Sequence, residues 1–116
     1  MEFGDHIRRL RQKRYRVNRR YSIKRVAERI GLDPTDLDRI ERNDMPPPEE
    51  EVIARLARDL GEDLDVLLAL AGEMASDVRQ TITRRPILFS ELIRGLGDLP
   101  DKKLTLLVRK VRNSSV

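Results

Sequence analysis

Apolar residues recur along this chain at intervals of three and four, and almost nowhere in strict alternation. That spacing places apolar side chains on one face of an α-helix, whereas alternation is typical of a half-buried strand. The pattern therefore predicts an all-α protein. Five helices are expected in residues 1–73, followed by about three short helices in residues 74–116.

Capping residues and helix breakers set the limits of the predicted helices. Ser22 is a good N-cap, Gly31 supplies a left-handed stop, and Asp33 with Pro34 begins another helix at once. Residues 15–21 show no helical pattern. The predicted helices lie within residues 2–14, 22–31, 33–43, 48–61, 63–72, 75–84, 86–96 and 101–112.

Charge is strongly segregated along the chain, although the net charge is only +4. Residues 1–30 carry eleven basic and three acidic side chains, whereas residues 31–65 carry four basic and twelve acidic ones. A basic first third is the electrostatic pattern of a protein that binds a polyanion, because neutralised phosphates release counterions. A solvated helix face would give the same pattern, so charge alone leaves the choice open.

Several function classes are excluded by what the sequence lacks. It has no cysteine and a single histidine, His6, so neither a metal site nor any cofactor is expected. The serines occur in no arrangement with a base, and no glycine-rich phosphate loop is present, so an enzyme is not expected. The first residues lack the apolar stretch of a signal peptide, and no apolar run could span a membrane. The expected location is the cytoplasm.

Residues 22–43 carry the most informative pattern, which is two short helices joined by a turn that contains glycine. This is the spacing of a helix-turn-helix unit. Ala27 is small enough for two helices to cross closely, and Leu37 and Ile40 would fix the second helix to the core. The solvent-facing positions of that second helix would then be available to contact DNA.

The chain resembles the lambda-repressor-like, or xenobiotic-response-element type, helix-turn-helix regulators. The resemblance covers residues 4–71 and includes GDHIRRLR, SIKRVAERIGLDPTDLDRIER and PPPEEEVIARLARDLGEDLDVLLALAG. It implies a five-helix DNA-binding domain, homodimers, and operators made of two half-sites. We therefore expect a sequence-specific transcriptional regulator, a repressor, whose recognition helix spans about residues 33–43. The resemblance also implies that Arg11 pairs with Glu41 and so ties the first helix to the recognition helix.

The resemblance assigns DNA contacts to the outward start of the recognition helix. Arg39 would bind guanine O6 and N7, Asp36 would accept from cytosine N4, and Thr35 would contact a phosphate or a thymine methyl. Simpler roles stay open, because Asp36 also suits the positive end of the helix dipole and Arg39 also suits a pair with Asp36. The full set of expected DNA-contacting residues is Arg16, Arg19, Arg20, Ser22, Lys24, Arg25, Pro34, Thr35, Asp36, Arg39, Arg42 and Asn43.

Two features depart from the family pattern. Ile23 stands where many members have a phosphate-binding glutamine, so the N–H groups near Ser22 and the side chain of Lys24 would have to take that contact. The chain also carries about five extra residues between the first two predicted helices. This basic extension holds Arg14, Arg16, Arg19 and Arg20 together with Tyr15 and Tyr21. Its arginines would reach a phosphate or a minor groove, unless the segment is a flexible loop or a continuation of the first helix.

The C-terminal apolar stripes predict a dimerisation segment, since a small domain has difficulty burying them. They would fold back on the first domain or pair with a second copy, and a two-fold dimer that reads two half-sites favours pairing. The expected dimer contacts are Leu88, Phe89, Leu92, Ile93, Leu104, Leu107, Val108 and Val111. A protein-interaction module, such as an antitoxin or anti-repressor of the same fold, is the alternative, because acidic residues surround the recognition helix.

Overall fold

The computed structural model describes residues 2–114, and all of their regular structure is helical. The all-α prediction is therefore confirmed. The helices are α1 (Phe3–Tyr15), a 3-10 helix (Arg19–Tyr21), α2 (Ile23–Ile30), α3 (Pro34–Glu41), α4 (Glu50–Leu60), α5 (Leu64–Leu70), α6 (Ser76–Arg84), α7 (Pro86–Leu96) and α8 (Asp101–Ser114). The chain divides into two compact units between Ala75 and Ser76. No helix in the described residues is both long and apolar enough to cross a bilayer.

The core of the first unit is formed by the apolar stripes of α1 to α5. Its fully buried apolar residues are Phe3, Ile7, Val26, Ala27, Ile30, Leu37, Ile40, Val52, Ile53, Leu56, Ala57, Leu60, Leu67 and Leu68. Their spacing within each helix is the three- and four-residue interval that the sequence shows. Burial of these stripes holds the five short helices together, because helices of this length are marginal alone.

Helix ends follow the capping chemistry of the sequence. The Ser22 hydroxyl accepts a hydrogen bond from the Arg25 N–H at 3.2 Å, and the Asp33 carboxylate accepts from the Thr35 N–H at 2.8 Å. Gly31 ends α2 at a φ of 77°, a left-handed conformation that glycine adopts without strain. Both ends of α2 and the start of α3 are therefore fixed by three residues whose roles can be predicted from their types.

Several helix limits differ from the sequence prediction, and α1 ends one residue later than predicted, at Tyr15. The recognition helix α3 ends at Glu41, because Asn43 adopts a φ of 61° and stops it. The helix predicted to start at Pro48 begins at Glu50, with Glu49 as its N-cap. At the C-terminal end of the described chain, α8 continues through Ser114, whose hydroxyl donates to the carbonyl of Lys110.

The extension between α1 and α2 is ordered, which the lack of helical periodicity did not predict. Its last residues form the 3-10 helix, and the Asn18 side chain accepts from the Arg20 N–H at 3.0 Å. α1 continues into the extension as far as Tyr15, and beyond that residue the segment is neither a flexible loop nor a continuation of α1. One turn of helix can be held by a single cap, so it needs no apolar stripe.

The second unit has a different kind of packing. Within the described residues, no side chain of α6, α7 or α8 is fully buried. Nine large apolar side chains are exposed instead: Val78, Ile87, Leu88, Leu92, Ile93, Leu106, Leu107, Val108 and Val111. A unit of this size with so little buried apolar surface has little to stabilise it by itself.

Candidate nucleic-acid interface

In the helix pair formed by α2 and α3, the outer face of α3 is exposed to solvent and its inner face is buried. Ala27 is completely buried, so the two helices can approach closely at that position, and Leu37 and Ile40 fix the inner face of α3. Pro34, Thr35 and Arg39 are exposed, and Asp36 is half-buried. The residues expected to face base edges therefore share the outer surface of α3, with Pro34 and Thr35 in its first turn and Arg39 in its last.

An ion pair joins α1 to the end of α3. Arg11 donates from Nε to Glu41 at 2.6 Å and from Nη2 at 2.8 Å, and both side chains are buried. This confirms the pairing that the family resemblance implied. The third group of the same guanidinium, Nη1, donates to the carbonyl of Tyr21 at 3.1 Å. Arg11 therefore ties α3 both to α1 and to the end of the extension.

The carboxylates of α3 are mostly neutralised by cations. Glu41 is paired with Arg11, and Asp38 accepts from Arg42 at 3.2 Å. Asp36 forms no ion pair with any described residue. The helix therefore presents less negative charge to a ligand than its number of carboxylates suggests.

Arg39 is the exposed cation on the outer face of α3. Among residues 2–114 it has no ion-pair partner, so the pairing with Asp36 that sequence spacing allows is not formed. An arginine with a free guanidinium at this place in a helix-turn-helix can reach a base edge.

Arg42 and Asn43, two further expected contacts, are engaged within the protein. Arg42 pairs with Asp38, as above, and the Asn43 amide donates to Asp5 of α1 at 3.2 Å. Both side chains are exposed. A contact from either residue would require it to share or exchange its present partner.

A group of exposed cations lies before and at the start of α2. It comprises Arg16, Arg19, Arg20, Lys24 and Arg25. None of the five forms an ion pair within the described part of the chain. From residue 6 to residue 27 the sequence has no acidic side chain, so no nearby carboxylate reduces their attraction for a polyanion.

Two tyrosines organise the extension. The Arg19 guanidinium lies 4.5 Å from the ring centre of Tyr15, and the guanidinium groups of Arg14 and Arg29 lie 5.5 Å and 5.1 Å from that of Tyr21. Sequence analysis placed these tyrosines in the extension without a role. These contacts could have been predicted from the sequence, because tyrosines close to several arginines commonly form cation–π contacts.

Arg29 is held by a second bond as well as by the ring. It donates to Asp59 of α4 at 2.5 Å and 3.0 Å. Because Asp59 accepts these hydrogen bonds, the pKa of Arg29 is raised above its already high ordinary value. Arg29 is therefore a structural link between α2 and α4.

Comparison with protein families gives one match. The model of the helix-turn-helix domain family matches residues 7–73, which include all of the geometry described above except the start of α1. Searches of the curated proteins and of the solved structures give no match. The matched segment covers more than half of the chain.

Proposed function

Because the chain belongs to the helix-turn-helix domain family, a family of DNA-binding domains, we propose that it is a sequence-specific transcriptional regulator. In this proposal α3 enters the major groove of an operator, and a homodimer binds two half-sites. Occupation of the operator represses transcription.

The observation that carries the proposal is the exposed outer face of α3, which lies on a buried support. Pro34, Thr35 and Arg39 face solvent, while the Arg11–Glu41 pair fixes the opposite side of the same helix. A reading helix must be rigid relative to the rest of its domain, since small displacements weaken hydrogen bonds to base edges. Arg39 is the residue that we assign to direct base recognition, with Thr35 beside it.

The charges support a role for the basic group in phosphate binding. Arg16, Arg19, Arg20, Lys24 and Arg25 are exposed and directly precede or begin the first helix of the pair. Phosphate contacts set the orientation of a helix-turn-helix on the duplex, and base contacts then set sequence preference. Pairing of Asp38 and Glu41 with arginines lowers the repulsion between α3 and the backbone.

The second unit supports dimerisation. Leu96, Leu104, Leu107, Val108 and Val111 line an open apolar groove of about 360 Å³ between α7 and α8. Exposed apolar surface of this kind marks an interaction site, and a second copy of the chain would offer the same surface. We therefore propose that α7 and α8 form the dimer contact, through the groove and through Leu88, Phe89, Leu92 and Ile93.

Selection of bound duplexes from a random pool tests the sequence-specific function. We expect the enriched DNA to contain two related half-sites, separated by about one helical turn for a two-fold dimer. A transcription assay with that site placed across a promoter should then show less transcript as the protein is added. A pool that shows no enrichment after repeated rounds would contradict sequence-specific binding.

Sedimentation tests the dimer through a matched pair of variants on α8. Leu107→Asp with Val108→Asp places two charges in the apolar stripe and should give monomers. Leu106→Asp is the control, because Leu106 is 56% exposed and lies on the opposite side of α8. Dimers that persist in the double variant would show that α8 is not the contact.

One observation favours a second candidate function, which is protein binding. Residues 31–65 carry an excess of eight negative charges, and Asp36 in the first turn of α3 forms no ion pair with any described residue. An interaction module of the antitoxin or anti-repressor kind would use this acidic surface on a basic protein. Such a module would show no affinity for duplex DNA even at low salt.

A further inference from the structure

Three arginines of the first unit lie over tyrosine rings, and they differ in exposure and in how the edges of their guanidinium groups are used. Arg14 lies over Tyr21 at 5.5 Å and is half-buried, whereas Arg19 is exposed. Arg29 lies over Tyr21 and donates from its edge to Asp59, so its hydrogen bonds are already made within the protein. Arg19 lies over Tyr15 at 4.5 Å, the shortest of the three distances. Within residues 2–114, its side chain forms no ion pair and donates no hydrogen bond.

Stacking leaves the binding capacity of an arginine intact. The guanidinium is planar, and all five N–H donors lie in its plane and point outward from its edge. A ring beneath the face therefore restricts the side chain without occupying a donor. The free edge matches two oxygens of a phosphate, which it can bind through two parallel hydrogen bonds. A side chain that is already restricted also loses less rotamer freedom on binding.

The backbone that carries Arg19 is held from both sides. The Asn18 side chain accepts from the Arg20 N–H at 3.0 Å, and the Tyr21 carbonyl accepts from Arg11 at 3.1 Å. Arg11 is the same residue that anchors α3 through Glu41. Arg19 is therefore held in a fixed position relative to the helix that we propose to read the bases.

The neighbouring arginines have no such support. Arg16 and Arg20 are exposed, and neither lies over an aromatic ring in the described part of the chain. They carry the same charge as Arg19, and Arg20 lies beside it in the same 3-10 helix. The three residues therefore allow charge and pre-positioning to be separated experimentally.

We propose that Arg19 is a preformed receptor for one DNA phosphate and that Tyr15 is the positioning residue that holds it. This inference rests on the proposed DNA-binding function. It makes Arg19 the most important cation of the extension and gives Tyr15 a role in affinity without any contact to DNA.

A double-mutant cycle on the full-length chain tests the inference, with the duplex from the selection experiment as the probe. Tyr15→Ala should weaken binding about two- to fivefold, the size of an exposed cation–π contact. The same change in an Arg19→Ala background should have no effect, because Tyr15 then has nothing to position. Tyr15→Phe should bind like the wild type, since the ring is retained.

Salt dependence adds a readout that a structural role would not produce. Arg19→Ala should flatten the plot of log affinity against log salt by about one phosphate contact, whereas Tyr15→Ala should leave the slope unchanged because the charge remains. Arg20→Ala, which removes the same charge, should weaken binding less than Arg19→Ala. Thermal unfolding of each variant verifies folding, and Tyr15→Leu replaces Tyr15→Ala if the alanine variant is unstable.

Equal effects of Tyr15→Ala with and without Arg19 would overturn the positioning role, as would equal losses from Arg19→Ala and Arg20→Ala. A different result would contradict the proposed DNA-binding function on which this inference rests. A wild-type chain that does not bind duplex DNA at low salt would contradict DNA binding itself, before any variant is compared.

Discussion

The guanidinium of Arg11 and the carboxylate of Glu41 form two hydrogen bonds, of 2.6 Å and 2.8 Å, between residues that lie 30 positions apart in the chain. Both residues are buried, with exposed fractions of 6% and 2%. The pair connects α1 to the far end of α3 beneath its solvent-facing surface. It gives the proposed recognition helix a fixed orientation and reads no base itself.

Glu41→Gln should destabilise the first unit severely, by about 3–5 kcal/mol, because it leaves the buried charge of Arg11 without a counter-ion. Denaturant unfolding measures the loss. The control is Glu51→Gln, which breaks the exposed pair between Arg55 and Glu51 at 2.8 Å. That change should cost about 0–1 kcal/mol. Similar losses in the two variants would mean that the Arg11–Glu41 pair does not anchor α3.

Gly4→Ala should also lower stability, although alanine is the better helix former. A β-carbon at position 4 would overlap the carbonyl oxygen of Ile40 and the side-chain oxygen of Asn43, so α1 could no longer lie against the end of α3. Gly95→Ala in α7 is the matched control, because nothing lies within 4 Å of its β-carbon position. It should stabilise its helix by up to about 1 kcal/mol. Thermal unfolding compares the two, and a stabilised Gly4→Ala variant would show that the close approach is not required.

The link between His6 and Glu62 predicts a pH dependence. The imidazole Nε2 of His6 lies 2.7 Å from the Glu62 carboxylate, and this hydrogen bond, together with the Asp63 N–H, holds the pKa of Glu62 below its ordinary value of 4.5. A lowered pKa in the folded state contributes stability above about pH 4.5. That contribution is lost as the pH falls through the folded-state pKa.

NMR titration of the Glu62 side chain measures this effect directly. The carboxyl should titrate below 4.5 in the wild type and closer to 4.5 in His6→Ala. The stability advantage of the wild type over Glu62→Gln should shrink over the same pH range, because both side chains are then neutral. An advantage that stays constant down to the acid limit would contradict the assignment.

Arg39→Ala tests the reading of bases. It should lower affinity for the selected duplex by about 1–3 kcal/mol and relax the preference at one base pair of each half-site. Arg58→Ala is the charge-matched control, since Arg58 is an exposed arginine of α4 outside the helix-turn-helix. It should change affinity little and preference not at all. An Arg39→Ala variant with unchanged sequence preference would remove Arg39 from base recognition.

The sequence predicted most of the fold because most of its helices are defined by local signals. Ser22, Gly31 and Asp33 fix the limits of α2 and the start of α3 through hydrogen bonds and backbone angles that depend on one or two residues. The buried stripes follow from spacing alone. The predicted end of α3 was too late. The helix ends because Asn43 adopts a left-handed conformation, which asparagine permits but does not require.

The contacts between distant residues could not be predicted in this way. In the extension, the Asn18 cap and the contact of Arg19 with Tyr15 are local, but the bond from Arg11 to the Tyr21 carbonyl joins residues ten positions apart and forms only when the segment turns back on α1. Arg11–Glu41 was expected only because the chain resembles a family that has such a pair. Composition likewise suggested an acidic recognition helix, whereas a tertiary pair with Arg11 and a local i, i+4 pair with Arg42 neutralise two of its carboxylates.

The salt dependence of DNA binding tests the account most directly, because it measures whether the exposed cations of the extension and α2 replace counterions on DNA. Titrations of the wild-type chain with the selected duplex, from low to physiological salt, should give a linear and steep fall of log affinity with log salt. Each phosphate contact should contribute a slope of about −0.9. A chain that binds no duplex at low salt, or whose affinity does not change with salt, would contradict the proposal that this helix-turn-helix protein is a DNA-binding regulator.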